Sequence, residues 1–394
     1  MKSIINRVAA FVCLAGIHNA ASAQLMPTFI GSAELQGSQL GNPCAIGNSG
    51  AVGYLQTQPA GDESFPAAIR AIDLTTGTVL SEIGMLDITG APLEAQELLI
   101  EGDRLYLLPS LMVIDISDPE QPEILGQGPS QPSGSRAAVQ DGILYVIASA
   151  FQVRIYDCTE PSSIALIGQL SVFNNGTFED IESTNDGRII FGKGQGGVAI
   201  YDSSDPGTLS LLGRAQGFTA NDVQVIGDNI YAAVASGRGS GITGVSMATP
   251  ETPSIIGSYS YPSSVIWEHT GAMQSIGTGA IAYILEEDRI DIFDVSTPSS
   301  IQLDTSISSR TARMASFRGS LLLATEDGIQ LYEFPSLATC PADFNDDGVL
   351  NFFDVSQFIV AYSSMDPIAD LTGDGSFNFF DVSAFLTMFT TGCP

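Results

Sequence analysis

The chain has 394 residues, 44% of them hydrophobic, with 14 basic against 44 acidic residues and a net charge of −30. That acidic excess argues against nucleic acid and anionic membrane surfaces as partners, and its first effect is on solubility. The 41 glycines and 20 prolines fit many short strands joined by tight turns, and the length allows two or three domains.

Lys2 and Arg7 flank the start of an apolar run over 8–17, and Ala21-Ser22-Ala23 precedes Gln24. The run is too short to span a bilayer and the small residues suit signal peptidase, so 1–23 reads as a removable secretory signal. The protein is expected to be exported, extracellular or at the cell surface, with the periplasm as the alternative. No other apolar run is long enough to cross a membrane. An exported chain can keep disulfides. Cys340 and Cys393 bracket the last segment and are expected to pair, whereas Cys44 and Cys158 fall in different repeats and read as separate buried thiols.

From residue 24 to 338 one word recurs. It stands as Val113-Ile114-Asp115-Ile116-Ser117-Asp118-Pro119, as Ile155-Tyr156-Asp157-Cys158-Thr159-Glu160-Pro161, as Ile200-Tyr201-Asp202-Ser203-Ser204-Asp205-Pro206 and as Ile292-Phe293-Asp294-Val295-Ser296-Thr297-Pro298. Weaker copies centre on Asp73, Ser246 and Glu333, so the anchors are spaced by 42, 42, 45, 44, 48 and 39 residues. That is the period of a β-propeller blade. Each repeat divides into four β segments, with Gly beside Asp at the hairpin between the second and third (Gly102-Asp103, Asp141-Gly142, Gly227-Asp228). A second marker is a glycine eleven residues after the anchor: Gly84, Gly126, Gly168, Gly213 and Gly257, with Thr305 in the sixth copy. Phe29-Ile30-Gly31 has no anchor before it and Glu333 has no such strand after it. The N-terminal strand around 28–34 is therefore expected to complete the last blade and close the ring. Seven blades follow, with six or eight as alternatives. The anchor Asp residues read as caps of local turns, with cation ligation on one rim as the competing role.

These words resemble the LVIVD-repeat family of bacterial surface proteins over roughly 28–335. The resemblance implies a propeller and little about activity.

Propellers often bind ligands where the innermost strands begin. Those starts carry Glu97, Arg136, Glu179, Asp180, Asn221, Asp222, Glu268, His269, Arg310 and Arg313, and His269 sits beside Glu268 and the sole Trp, Trp267. The sequence contains no G-x-S-x-G elbow, H-E-x-x-H or P-loop. A channel lined by close carboxylates would favour an enzyme, and one plugged by apolar side chains a binder.

The composition changes over 339–394. Asp343, Asn345, Asp347, Val349 (through its carbonyl), Asn351 and Asp354 take positions 1, 3, 5, 7, 9 and 12 of one loop. Asp370, Thr372, Asp374, Ser376 (carbonyl), Asn378 and Asp381 repeat them 27 residues on. Ca²⁺ takes six to eight hard oxygen ligands, and this spacing supplies them around a glycine at position 6, so two calcium ions are expected, with Asn351 and Asn378 acting directly or through water. Loop, helix, loop, helix with Asp at position 12 resembles a dockerin domain, and Cys340 with Gly392-Cys393-Pro394 looks like the GC-type dockerin tails of planctomycete exported proteins. The resemblance implies a protein receptor such as a cohesin. Positions 10 and 11, however, are Phe352-Phe353 and Phe379-Phe380, which departs from the usual small or polar pair. One ring of each pair is expected to pack and one to face a partner.

The expected architecture is a mainly β, seven-bladed propeller followed by a small α-helical dockerin-like domain with two calcium loops. The function this implies is an exported, non-catalytic propeller that binds a protein or glycan and is attached through its tail. The alternative is a carbohydrate-active or other hydrolytic enzyme with its site in the channel.

Overall fold

The computed structural model describes residues 25–35, 43–47, 50–57, 68–84, 95–129, 134, 136–172, 176–184, 186–234, 241–262, 272–277, 279–286, 288–311, 313–317, 319–334, 340–344, 350–372 and 376–391. The segment 1–23, the Trp267-Glu268-His269 cluster, and Asn345, Asp347, Val349, Asp374 and Cys393 lie outside them.

Seven four-stranded antiparallel sheets form a seven-bladed β-propeller, followed by two helices. Blade 1 runs from Cys44–Ile46 through Val52–Thr57 and Ala68–Asp73 to Val79–Gly84, and blade 2 from Glu97–Glu101 through Arg104–Leu108 and Met112–Asp115 to Glu123–Gln127. The inner strands of blades 3 to 7 are Ala137–Gln140, Asp180–Thr184, Asp222–Ile226, Met273–Ile276 and Arg313–Phe317. Each inner strand lies against the next, and that of blade 7 against that of blade 1, so the ring is closed. The closing strand is Thr28–Glu34, which pairs with Gly328–Glu333 as the outer edge of blade 7. Seven apolar clusters fill the ring, each drawn from two neighbouring blades, which is why the second strands read as unbroken apolar runs. Cys44 and Cys158 are free and buried in two different clusters.

The anchors cap local turns. Asp115 Oδ1 accepts the Ser117 amide at 2.9 Å, Asp157 that of Thr159 at 3.0 Å, Asp202 that of Ser204 at 2.9 Å and Asp294 that of Ser296 at 2.9 Å. These bonds present the turn that follows to the neighbouring blade. A Cβ placed on Gly126 would lie 1.8 Å from the Pro161 carbonyl oxygen, on Gly168 2.3 Å from that of Gly207, on Gly213 2.1 Å from that of Pro250, and on Gly257 2.7 Å from that of Pro298. The two sequence markers are thus halves of one contact, an anchor turn seated on the previous blade's outer strand. None of these four glycines has a positive φ, so space rather than backbone conformation requires them.

The register corrects one marker. Each outer strand carries a bulge, after which the residue facing the position two before the anchor is Gly126, Gly168, Gly213, Gly257, Thr305 or Gly31. In blade 1 that residue is Ser81, opposite Ala71, and not Gly84, which pairs with Ala68. Ser81 uses its hydroxyl to donate to the Pro119 carbonyl at 2.6 Å, the contact for which blades 2 to 5 clear space with glycine.

Candidate functional site

The inner strands surround a channel cavity of about 390 Å³. Five of the residues expected there line it: Glu97, Arg136, Asp180, Asp222 and Arg313. Glu179, Asn221 and Arg310 do not. Glu179 is exposed and takes the Thr177 hydroxyl, and Arg310 pairs with Glu326 at 2.7 Å, while successive residues of an extended chain face opposite ways. Two further lining residues, Glu182 and Gln224, lie two positions beyond Asp180 and Asp222, so the period of a strand places them on the same face. That periodicity was the signal that could have found them.

Arg136 reaches across two blades. Its guanidinium stands 3.6 Å from Asp180 Oδ1 and 3.5 Å from Asp222 Oδ2. Each aspartate also takes an amide from the next blade, Asp180 from Val223 at 2.8 Å and Asp222 from Met273 at 3.3 Å. Glu182 accepts Gln224 Nε2 at 2.9 Å, and Gln224 Oε1 accepts the Ser275 amide at 2.9 Å. The Ala137 amide bonds the Glu97 carboxyl, yet Glu97 Oε2 is sealed from solvent with no hydrogen-bond partner among the described residues. Burial pushes the Glu97 carboxyl up to about 8 against the pull of Arg136. It raises Asp180, and it raises Asp222 and Glu182 well above the usual carboxylate range, in the latter two with help from the charge of Asp180. The channel is polar rather than plugged by apolar side chains, and Phe317 is the one aromatic lining it among the described residues.

In the tail, helices α1 (Phe352–Ser364) and α2 (Phe379–Thr391) pack through Phe358 and Phe385, whose rings stack at 4.1 Å, with Phe344 edge-on to both. Asn351 and Asn378, read as loop ligands, stand at the helix caps, their side-chain oxygens taking the Phe353 and Phe380 amides at 2.7 and 2.8 Å. The position-12 acids face inward. Asp354 is fully buried and accepts the Phe344 and Asn351 amides at 2.9 and 2.7 Å. Asp381 is equally buried and accepts the Asn378 amide at 2.9 Å and the Thr372 hydroxyl at 2.8 Å, while that hydroxyl also stands 3.4 Å from Asp370. Positions 1, 3 and 12 of the second loop therefore converge. Asp343 is also buried. No Lys, Arg or His follows Arg318 in the sequence, although nine aspartates do, eight of them within 339–394. Converging carboxylates in a segment with no basic residue have the donor chemistry that an external hard cation takes. Among the described residues no group of three or more His, Cys, Asp or Glu is close enough to hold a metal. Several expected ligands, and the Cys393 partner expected for Cys340, lie outside those residues.

The aromatic pairs differ from expectation. Phe352 and Phe379 are each 75% exposed, Phe380 67% and Phe353 43%, so both rings of each pair face out. The core is filled from the middle of the helices, and the first two positions of each helix project beyond it.

Residues 94–127, about one blade, match the LVIVD repeat family. Among solved structures the chain is similar to U3-55K at a TM-score of 0.57 and 10% identity, covering 78% of this chain and 98% of that one. The β-propeller domain of Myceliophteria thermophila Cps50 (Swd1) aligns at 0.57 and 12%, covering 78% and 99%. The RRP9 WD40 repeats align at 0.57 and 10%, covering 79% and 98%. At these identities the likeness concerns the fold. No curated protein matches.

Proposed function

We propose that the protein is an exported, non-catalytic binding propeller, attached to a cell-surface or extracellular assembly by its tail through calcium-dependent contact with a protein receptor. The observation that carries this reading is the repeated arrangement in the tail: at each helix start a buried aspartate faces the loop and an aromatic pair faces solvent. A loop ordered by Ca²⁺ would hold these aromatic pairs as anchors for a receptor. The Cys340–Cys393 pair would clasp the ends of a segment small enough to need both staple and metal.

The test is calorimetric titration of the full mature chain with Ca²⁺, with circular dichroism before and after chelation. The expected result is two binding events and a gain of helix, with capture of an envelope protein that needs both calcium and the rings of Phe352 and Phe379. No heat and no change in helix would overturn the reading.

One observation favours hydrolysis in the channel as a second reading: burial keeps Glu97 in its acid form at neutral pH, as a general acid requires. Asp180 and Asp222, however, share one guanidinium and are not poised as base or nucleophile. Hydrolysis of any glycan by the wild type that Glu97→Gln abolishes would establish the enzyme.

A further inference from the structure

We propose that the channel is a binding site for a small diamino carboxylic acid, its two ammonium groups held by Glu97 and Glu182 and its carboxylate by Arg313. The inference rests on the reading of the propeller as a binder and names the ligand class of that site.

The argument begins with which charges are already met. Arg136 is matched by Asp180 and Asp222, which also hold interblade amides. This trio belongs to the ring. What remains is Glu97, with a sealed and unpartnered Oε2, Glu182, with a hydrogen bond from Gln224 and no ion pair among the described residues, and Arg313. Arg313 lines the same cavity and has no ion pair among the described residues; burial and the neighbouring Arg136 charge weaken its hold on a proton, against the attraction of Glu97. A buried polar atom without a partner is expensive, so a donor delivered to Glu97 Oε2 gains more than one offered at a surface. Two carboxyls and one guanidinium complement two ammoniums and one carboxylate. A volume of about 390 Å³ admits such a molecule. A stacked sugar would want aromatic platforms, and Phe317 alone is a poor one. Because burial holds Glu97 protonated near neutrality, an ammonium entering there displaces a proton. Affinity should then rise from pH 6 to pH 8, as fewer protons have to leave.

The experiment is calorimetry on the full mature chain with four probes: lysine, cadaverine (no carboxylate), norleucine (no side-chain ammonium) and 6-aminohexanoate (no α-ammonium). Lysine is expected to bind best, each truncated probe about tenfold or more weaker. Binding should release protons, seen as a dependence of the heat on buffer ionisation enthalpy. Arg313→Met should bring lysine down to the level of cadaverine, and Glu97→Gln should weaken lysine and reduce proton release to the share that Glu182 contributes. Circular dichroism of each variant checks that the ring has formed, and Arg313→Lys, which keeps the charge, should restore part of the preference. Failure of all four probes, or equal binding of lysine and cadaverine by the wild type, would overturn the proposal. Repeating the titration under chelation separates the two readings: a channel that binds without calcium stands even if the tail takes no calcium, and the reverse holds as well.

Discussion

The propeller and the tail are both built by repetition, and they differ in where the last partner of each copy comes from. In the propeller every seam is closed by the chain itself. Four anchor turns seat their carbonyls over outer-strand glycines, a fifth takes the Ser81 hydroxyl, and buried Asp180 and Asp222 meet Arg136. In the tail, two copies bury Asp354 and Asp381, and their segment contains no basic residue at all. A carboxylate buried with a cation from the same fold lets that fold stand alone. In a segment with no cation of its own, the proposed calcium would take that part, and order there would depend on its supply.

The largest expected break is Arg136→Met. It removes the cation shared by two buried aspartates and should cost about 3 kcal/mol, since losing one partner of a buried pair leaves the other uncompensated. The loss should grow with pH. Without Arg136 the native pKa values of Asp180 and Asp222 move further above their unfolded values, so the folded state holds protons that are lost as pH rises. Denaturant titration at pH 5 and pH 8 measures both effects, and neither should depend on calcium. The next effect is the converse. Calcium at a hundredfold excess over its dissociation constant should stabilise the tail by about 2.7 kcal/mol per site. Asp354→Asn with Asp381→Asn should remove that gain, read as helix signal, and leave the propeller's β signal unchanged.

How much was legible follows the same division. Seven anchors and the orphan Phe29-Ile30-Gly31 were enough for the blade count and the closing strand, because each copy must present the same turn to the same kind of groove. Gly84 misled because counting from an anchor ignores a bulge: blade 1 places Ser81 at the contact. The channel was half legible. Asp180, Asp222, Glu97, Arg136 and Arg313 stood at strand starts, but which of two adjacent polar residues faces inward depends on local register, so Glu179 and Arg310 were drawn in with them. The sharing of Arg136 between blades 4 and 5 has no local signature, since its partners lie 44 and 86 residues away. In the tail, the spacing that suits a calcium loop also suits a helix cap, and the side chains of Asn351 and Asn378 make the capping bonds.

The finer contrast lies between seams of the propeller itself. Gly126→Ala would drive a methyl group into the Pro161 carbonyl, for which 1.8 Å leaves no room, and should cost about 2 kcal/mol by overpacking. Gly31→Ala, at the equivalent place in the ring-closing strand, meets nothing within 4 Å and should be neutral to within about 0.5 kcal/mol. Blade 1 provides the smallest test. Ser81 stands where other blades keep glycine and turns the same proline carbonyl into a hydrogen-bond acceptor at 2.6 Å. Ser81→Ala keeps the Cβ but removes the donor, so it should cost about 1 kcal/mol, the ordinary worth of one hydrogen bond. Ser81→Gly also lacks the donor but frees space for the turn to settle as it does over Gly126, so it should cost less than alanine despite the entropy glycine adds to the unfolded chain. Equal losses for the two variants in denaturant titration would mean that the blade 1 seam is held only by the hydroxyl. A smaller loss for glycine would show one interblade contact with two interchangeable solutions.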